Sequence, residues 1–209
     1  MCQIMQCKSC GKTINRRIDE MCADCYINSN LPTKVRNTPW VHAFSFARKK
    51  ERKYEEADEK LASAITSMTA RISEDKTTIV LDVNRKAVSI PVNVETLDEL
   101  ARKTGILAGK WLIYRGSSEI DDTWKTIARR TFSGELGTSA KAATAMQSKG
   151  RHVICVYTYD YLDLEDVMNV RERLKKLGLT DKLCYKPDIY TYLGIYHRTT
   201  TRSPCRYRN

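Results

Sequence analysis

Between Phe44 and Asp75 the chain has neither proline nor glycine, and Leu61, Ile65, Met68 and Ile72 recur at helical spacing. That pattern predicts one long charged helix over 44–76 with a narrow apolar stripe. Its first half, Arg48 to Lys60, interleaves basic and acidic residues at i,i+4 separations and reads as a solvated face. Thr77 to Val83 and Ala87 to Val92 then alternate around Asn84-Arg85, the signature of a hairpin. A short helix follows over 95–104, stopped by Gly105, and Lys110 to Arg115 reads as a strand. Ser118 is a suitable cap for a helix over 119–132, in which Ile120, Trp124, Ile127 and Ala128 share a face, and Gly134 ends it. Val153 to Tyr159 is an apolar, β-branched strand. Asp163 caps a further helix whose stripe is Leu164, Val167, Met168, Arg171, Leu174 and Leu177, with Gly178 as its stop. Residues 182–186 and 189–196 read as two strands around Pro187-Asp188. The order predicts an α+β domain over 77–200, helices packed on one sheet. Asn28 to Pro39 is polar, carries two prolines and lacks periodicity, so 30–43 is read as a linker.

Composition sharpens this picture in two respects. With 42% hydrophobic and 29% charged residues, the 209-residue chain can bury a core, which excludes wholesale disorder. No apolar run approaches the ~20 residues a membrane-spanning helix needs, and the first 25 residues are too polar for a signal peptide. The expectation is a cytoplasmic or nuclear protein with no membrane partner. The net charge of +11 is uneven: residues 1–42 carry +3, the body over 77–196 carries only +3, and the last 13 residues hold four arginines and no acid. A nearly balanced body with basic ends, including the tail over 201–209, suits a polyanion such as RNA.

The clearest chemistry lies at the start. Cys7-Lys-Ser-Cys10-Gly11 and Cys22-Ala-Asp-Cys25 are two C-x2-C pairs within 25 residues. Four thiolates complete a tetrahedral zinc site and leave no open position, so Cys7, Cys10, Cys22 and Cys25 are expected to hold one structural Zn2+ in a module over 1–29. The spacing fits a zinc ribbon or a short treble clef. Two disulfides would need an oxidising compartment, and a thioredoxin-like redox pair needs a βαβ context. Cys2 is a further thiol able to compete for the metal, whereas Cys155 sits in an apolar run and reads as a buried small hydrophobe; Cys184 and Cys205 look unrelated to the metal. Lys8, Lys12, Arg16 and Arg17 decorate the module and suit phosphate contact and protein docking equally.

Seven tyrosines lie between Tyr157 and Tyr196. On extended chain, Tyr157, Tyr159 and Tyr161 share one side, as do Tyr190, Tyr192 and Tyr196. Beside Lys149, Arg151, Lys182 and Lys186 these rings can stack bases while the cations hold phosphates, and they can equally line a core with hydroxyls at the rim. The candidate nucleic-acid-binding set is therefore Lys149, Arg151, Tyr157, Tyr159, Lys186, Tyr190, Tyr192, Arg198, Arg202, Arg206 and Arg208. Trp111 and Trp124 read as packing residues. The three histidines fall in no acid–base motif, with His152 and His197 expected at the surface, so no enzyme is expected.

Gly109-Lys-Trp111-Leu-Ile-Tyr followed by Asp121-Asp-Thr-Trp124 is similar to the strand and helix at the centre of translation initiation factor 4E, the mRNA cap-binding protein. Gly109-Lys110-Trp111, the stretch around Gly137 to Lys141, Val153-Ile-Cys-Val-Tyr-Thr158 and Tyr185-Lys-Pro-Asp-Ile-Tyr-Thr-Tyr-Leu-Gly-Ile-Tyr196 together resemble the Bles (basophilic leukaemia expressed) family, itself assigned a 4E-like fold. The resemblance covers roughly 77–200. It implies a curved antiparallel sheet backed by helices, and a face able to hold a nucleotide or single-stranded RNA. It also implies an incomplete cap clamp: where one clamp tryptophan and its base-reading acid would stand, this chain has Leu100 and Ala101, leaving Trp40 and Tyr157 as the other stacking candidates. The resulting expectation is a noncatalytic RNA- or nucleotide-binding protein with a structural zinc module. The alternative is a protein–protein adaptor that docks partners through that module and the charged helix.

Overall fold

The computed structural model describes residues 5–14, 21–45, 58–67, 70–83, 85–148 and 150–209. In chain order the elements are β1 (Met5–Gln6), β2 (Thr13–Ile14), α1 (Ala23–Ser29), β3 (Trp40–Phe44), α2 (Glu59–Thr66) and β4 (Arg71–Ile72). There follow β5 (Thr78–Val83), β6 (Lys86–Pro91), α3 (Val94–Thr104), β7 (Gly109–Gly116), α4 (Ile120–Phe132) and β8 (Ser139–Ala143). The last are β9 (Arg151–Thr158), α5 (Leu164–Lys176), β10 (Cys184–Pro187), α6 (Asp188–Tyr192) and β11 (Tyr207–Arg208). Two compact units result. One takes the described residues up to Ser45 with Leu112–Val156 and Lys176–Gly178; the other takes those from Asp58 to Trp111 with Tyr157–Lys175 and Leu179–Asn209. The architecture is α+β, with antiparallel pairing of β1 with β2, β3 with β8, β4 with β5, β5 with β6 and β10 with β11.

In the first unit the strands run β7-β9-β8-β3, and β3 pairs antiparallel with β8 from Trp40↔Ala143 to Phe44↔Ser139. Val41 and Ala43 on β3 and Ala140 and Ala142 on β8 are buried, and α4 packs on these two strands. Small side chains at four positions let the helix approach closely and seat Ile120, Trp124, Ile127 and Phe132. The stripe predicted for 119–132 is thus the buried face. Residues 30–43 are not a linker. They hold all of β3 except Phe44, and they are tied down where Thr33 donates from its backbone N–H to Asp121 at 3.0 Å and Ala145 N–H donates to the Pro32 carbonyl at 2.8 Å.

In the second unit β11, β10 and the start of β7 (Gly109–Trp111) lie in that order, with the last two residues of β9 (Tyr157–Thr158) next to β7, and β4-β5-β6 forms a separate three-stranded sheet. The expected hairpin is present, registered from Thr78↔Pro91 to Val83↔Lys86. Helix α3 is capped by Asn93, which accepts from Thr96 N–H at 2.8 Å, and ends at Gly105 with φ +65°. Trp111 is sealed in this core, packed edge-on to Tyr185 at 5.1 Å with its indole N–H donating to the Val167 carbonyl at 3.1 Å. The predicted packing roles of Trp111 and Trp124 hold, since both are fully buried. Arg171 is fully buried too, and its guanidinium donates to the carbonyls of Leu179 and Asp181 at 2.7 Å and of Asn209 at 3.1 Å.

Three further expectations give way. Among the described residues of 44–76 the helix is only Glu59–Thr66, because Phe44 belongs to β3 and Arg71–Ile72 to β4; residues 46–57 and 68–69 of that prediction, Met68 of the stripe included, lie outside the described set. The second strand predicted over 189–196 is the short helix α6, opened by Pro187 and ended near Gly194 at φ +72°. The basic tail is not free: Tyr207–Arg208 pairs with β10, and Cys184 and Cys205 are joined in a disulfide with Cα atoms 5.2 Å apart. Those two cysteines, expected to take no part in the metal site, are one covalent link.

Candidate nucleic-acid interface and metal centre

The metal centre is built from a tight turn and a helix start. Gly11, with φ +71°, returns the chain so that Gly11 N–H reaches the Cys7 carbonyl at 2.8 Å and Cys7 N–H reaches that of Lys12 at 2.9 Å. This places Cys7 and Cys10 on one turn between β1 and β2. The second pair brackets the start of α1, Cys22 immediately before it and Cys25 in its first turn, which is the treble-clef arrangement rather than the double turn of a ribbon. The four sulfurs lie within 4.8 Å of one another, and Cys10 and Cys22 are 3.9 Å apart. Tetrahedral zinc–thiolate geometry, with bonds near 2.3 Å, needs sulfur separations of about 3.8 Å. All four are free cysteines, so the donor set fits one metal ion. The Cys22 backbone N–H donates to Cys7 Sγ at 3.2 Å and pulls that thiol down to about 6, making it a ready thiolate ligand. Cys2, Arg16 and Arg17 lie outside the described residues. Helix α1 does not hang free: Tyr26 meets Phe132 edge-on at 5.9 Å, and Asp24 pairs with Arg129 at 2.9 Å.

The second candidate site is an open sheet face in the first unit. Along β3, buried Val41 and Ala43 alternate with Trp40, His42 and Phe44, and the last is 53% exposed. The His42 and Phe44 rings lie parallel within 2° at a centroid separation of 5.9 Å. Lys141, directly opposite His42 on β8, holds its ammonium 4.3 Å from the centre of the Trp40 ring. On β7 the exposed Tyr114 carries the Arg151 guanidinium of β9 at 4.7 Å. Burial, then the Lys141 charge, holds the His42 imidazole below its ordinary 6.5. Burial also raises the Tyr114 phenol above its ordinary range.

The residues expected to bind nucleic acid are distributed differently. Arg151 is exposed and in place, but Lys149 lies outside the described residues. Tyr157 is half-buried near the end of β9 with the Lys110 ammonium 5.4 Å from its ring; Tyr159 is half-buried just beyond the strand; Tyr161 is sealed and donates to Asp98 at 2.9 Å. Tyr190, Tyr192 and Tyr196 do not share a strand side, because the chain is helical over 188–192: Tyr190 is fully buried, Tyr192 half-buried and Tyr196 exposed. Tyr190 has no face open for stacking. Lys186 is buried with its ammonium 3.5 Å from the Tyr196 ring. Arg198 is exposed, Arg206 pairs with Asp98 at 2.8 Å, Arg208 belongs to β11, and Arg202 is partly covered. His152 is not at the surface; its ring is buried between the Ala143 carbonyl at 2.8 Å and Ser117 Oγ at 3.3 Å. Cys155 is buried as expected. Leu100 and Ala101 are buried in α3 and offer no clamp.

A family model for basophilic leukemia-expressed protein Bles03 matches residues 22–194. The chain belongs to the Bles03 family. The Bles03 match takes in β3, β8 and the whole of the ring-bearing face, and it begins at the third cysteine of the metal cluster. Similar solved structures include schistosome eIF4E complexed with m7GpppA and 4E-BP, at 14% identity, 63% of this chain, 69% of that one and a TM-score of 0.39. Another is Ascaris suum eIF4E-3 with the m7G cap, at 15% identity, 81% of this chain, 93% of that one and a TM-score of 0.35. The β3 face escaped the sequence reading. Its signal was the two-residue period of Trp40-Val-His-Ala-Phe44, immediately after Pro39.

Proposed function

We propose that this protein is a noncatalytic RNA- or nucleotide-binding protein whose ligand stacks across the open face of the first unit. One observation carries the reading: Trp40, His42 and Phe44 project from one side of a single strand, with Lys141 set against the first ring. Rings supply stacking surface of about 1–3 kcal/mol per base, and the cations neutralise phosphates. Tyr114 with Arg151 repeats the combination on β7 and β9. The noncatalytic part rests on His152, whose two ring nitrogens are engaged in a buried position, and on the depth of Cys155. The four-cysteine cluster is assigned a structural Zn2+, since four thiolates leave no site for water, and the ion would fix the start of α1.

The test is fluorescence anisotropy with a labelled single-stranded RNA 12-mer, using the full chain. Trp40→Ala and Phe44→Ala should each weaken binding about tenfold, in line with the loss of one stacked base. Lys141→Gln and Arg151→Gln should each reduce the slope of log affinity against log salt by about 0.7. An affinity unchanged in the Trp40→Ala/Phe44→Ala double variant would remove the basis of this assignment.

A further inference from the structure

Strand β3 stands at the end of its sheet, and its ladder to β8 fixes which main-chain groups point away from that sheet. Thr144 N–H donates to the Pro39 carbonyl at 3.0 Å and Ser45 N–H to the Thr138 carbonyl at 2.9 Å, one bond beyond each end of the strand. Hydrogen-bonded pairs alternate with non-bonded pairs along an antiparallel ladder, and the register runs unbroken from Trp40↔Ala143 to Phe44↔Ser139. Val41 and Ala43 therefore direct their N–H and C=O groups to Ala142 and Ala140, while those of Trp40, His42 and Phe44 face outward. Among the described residues only the Trp40 carbonyl has a partner on that side, the Thr38 hydroxyl at 3.3 Å. Natural sheets shield such an edge with a charged residue, a proline or a bulge. Trp40–Phe44 holds no Lys, Arg, Asp, Glu or Pro, and its register has no bulge.

The surrounding charge selects the partner. No acidic residue occurs from Cys25 to Ser45 or from Leu136 to Val156, the stretches that supply β3, β8 and this unit's part of β9. Lys34, Arg36 and Arg151 are exposed, and Lys141 lies opposite His42. Carboxylates elsewhere in the unit are engaged: Asp121 accepts from the Thr33 N–H and hydroxyl, Glu135 pairs with Arg130 and Asp24 with Arg129. We propose that the β3 edge is a docking site for an extended acidic peptide, a segment of a partner protein that alternates Asp or Glu with apolar residues and adds a strand beside β3. Main-chain bonds to Trp40, His42 and Phe44 supply the affinity, and the cations select the acidic sequence. A second copy of β3 would bring Lys34 and Arg36 against their own kind. A nucleic acid offers phosphates to the cations but no row of alternating donors and acceptors to complete the ladder. The site uses main-chain groups at the strand's edge, whereas stacking uses the faces of the rings, so each reading can fail alone.

The experiment uses the full chain and a fluorescein-labelled octapeptide of alternating Glu and Val. Its anisotropy should report binding that weakens as salt rises. Alternating Lys-Val lacks the charge and alternating Glu-Pro lacks the ladder donors, so each should bind at least about tenfold more weakly. His42→Pro removes an outward N–H without touching the bonds to β8, so the chain should keep its circular dichroism and lose about tenfold in affinity. His42→Ala keeps the main chain and should stay within about twofold of the parent. Hydrogen exchange of the parent gives a second readout that no substitution disturbs. The His42 and Phe44 amides should exchange quickly and those of Val41 and Ala43 slowly, and the Glu-Val peptide should slow the first pair. Slow exchange at His42 and Phe44 without peptide would mean that another segment of this chain covers the edge. Protection that grows with protein concentration would assign it to a second copy. Either result overturns the docking site, as do equal binding of the Glu-Pro peptide, equal losses in the two His42 variants, or exchange that the Glu-Val peptide leaves unchanged.

Discussion

Replacing Arg171 by methionine tests how the second unit is closed. The guanidinium is fully buried and holds three carbonyls, of which Asp181 and Asn209 belong to exposed residues while Leu179 is buried. Methionine fills most of the volume beside Trp111, whose ring centre lies 5.8 Å from the guanidinium carbon. Water can take over at the two exposed carbonyls, so one carbonyl is left unpaired at about 1–3 kcal/mol. Two charge-assisted bonds exchanged for water bonds add about 1–2 kcal/mol, and release of the buried charge returns part of it. The net loss should be about 2–4 kcal/mol. With a urea dependence of about 2 kcal/mol per molar, the unfolding midpoint falls by roughly 1–2 M. Amide exchange at Leu183, whose N–H donates to the Asn209 carbonyl at 2.7 Å, should accelerate in the variant. A midpoint shift below about 0.3 M with Leu183 still protected would refute the clamp.

Gly109→Ala should cost about 1–3 kcal/mol, because an added methyl would sit 2.7 Å from Cε1 and Cζ of the buried Tyr185 ring. Calorimetry should show a melting temperature lower by about 3–10 °C, and an unchanged value would mean the ring can move aside. Elemental analysis of freshly purified protein should find one zinc per chain, and Cys10→Ser or a strong chelator should loosen α1, seen as lost protection around Tyr26; a metal-free preparation of undiminished stability contradicts the structural role. NMR titration of His42 should give a midpoint below 6.5. Since the folded form resists protonation, its contribution to stability is complete above pH 6.5 and declines as pH falls through the interval between the unfolded and folded values. His42→Gln should abolish that decline; a midpoint above 6.5 would show that burial and Lys141 do not govern the ring.

Elements whose buried face is large and periodic were legible in the sequence. Trp124 and Ile127 announce α4, and the β5–β6 hairpin and the Gly105 stop follow from local rules that tertiary context leaves intact. The cysteine cluster was equally legible, because ligand spacing is itself local. Strand β3 was not, since Val41 and Ala43 offer little apolar bulk and the prolines before it signal a loop. Strand β8 hides for the same reason, being alanine-rich at Ala140, Ala142 and Ala143. Tyr190 to Tyr196 alternates like a strand, yet Asp188 to Tyr192 coils after Pro187, and a tyrosine-rich run cannot reveal which rings are sealed. Arg206 reads as a tail cation because Asp98, its partner, stands 108 positions earlier.

That separation matters while the protein is being made. Asp98 and the α3 helix leave the ribosome long before the arginine that neutralises the carboxylate, and Arg171 waits likewise for the carbonyl of residue 209. Until residues 206–209 are translated, a nascent chain holds the second unit with an uncompensated carboxylate and an open edge on β10. Ribosome stalling or premature termination after Leu193 would therefore leave a product deprived of its own seal, and such truncated chains are the ones quality-control proteases should recognise first.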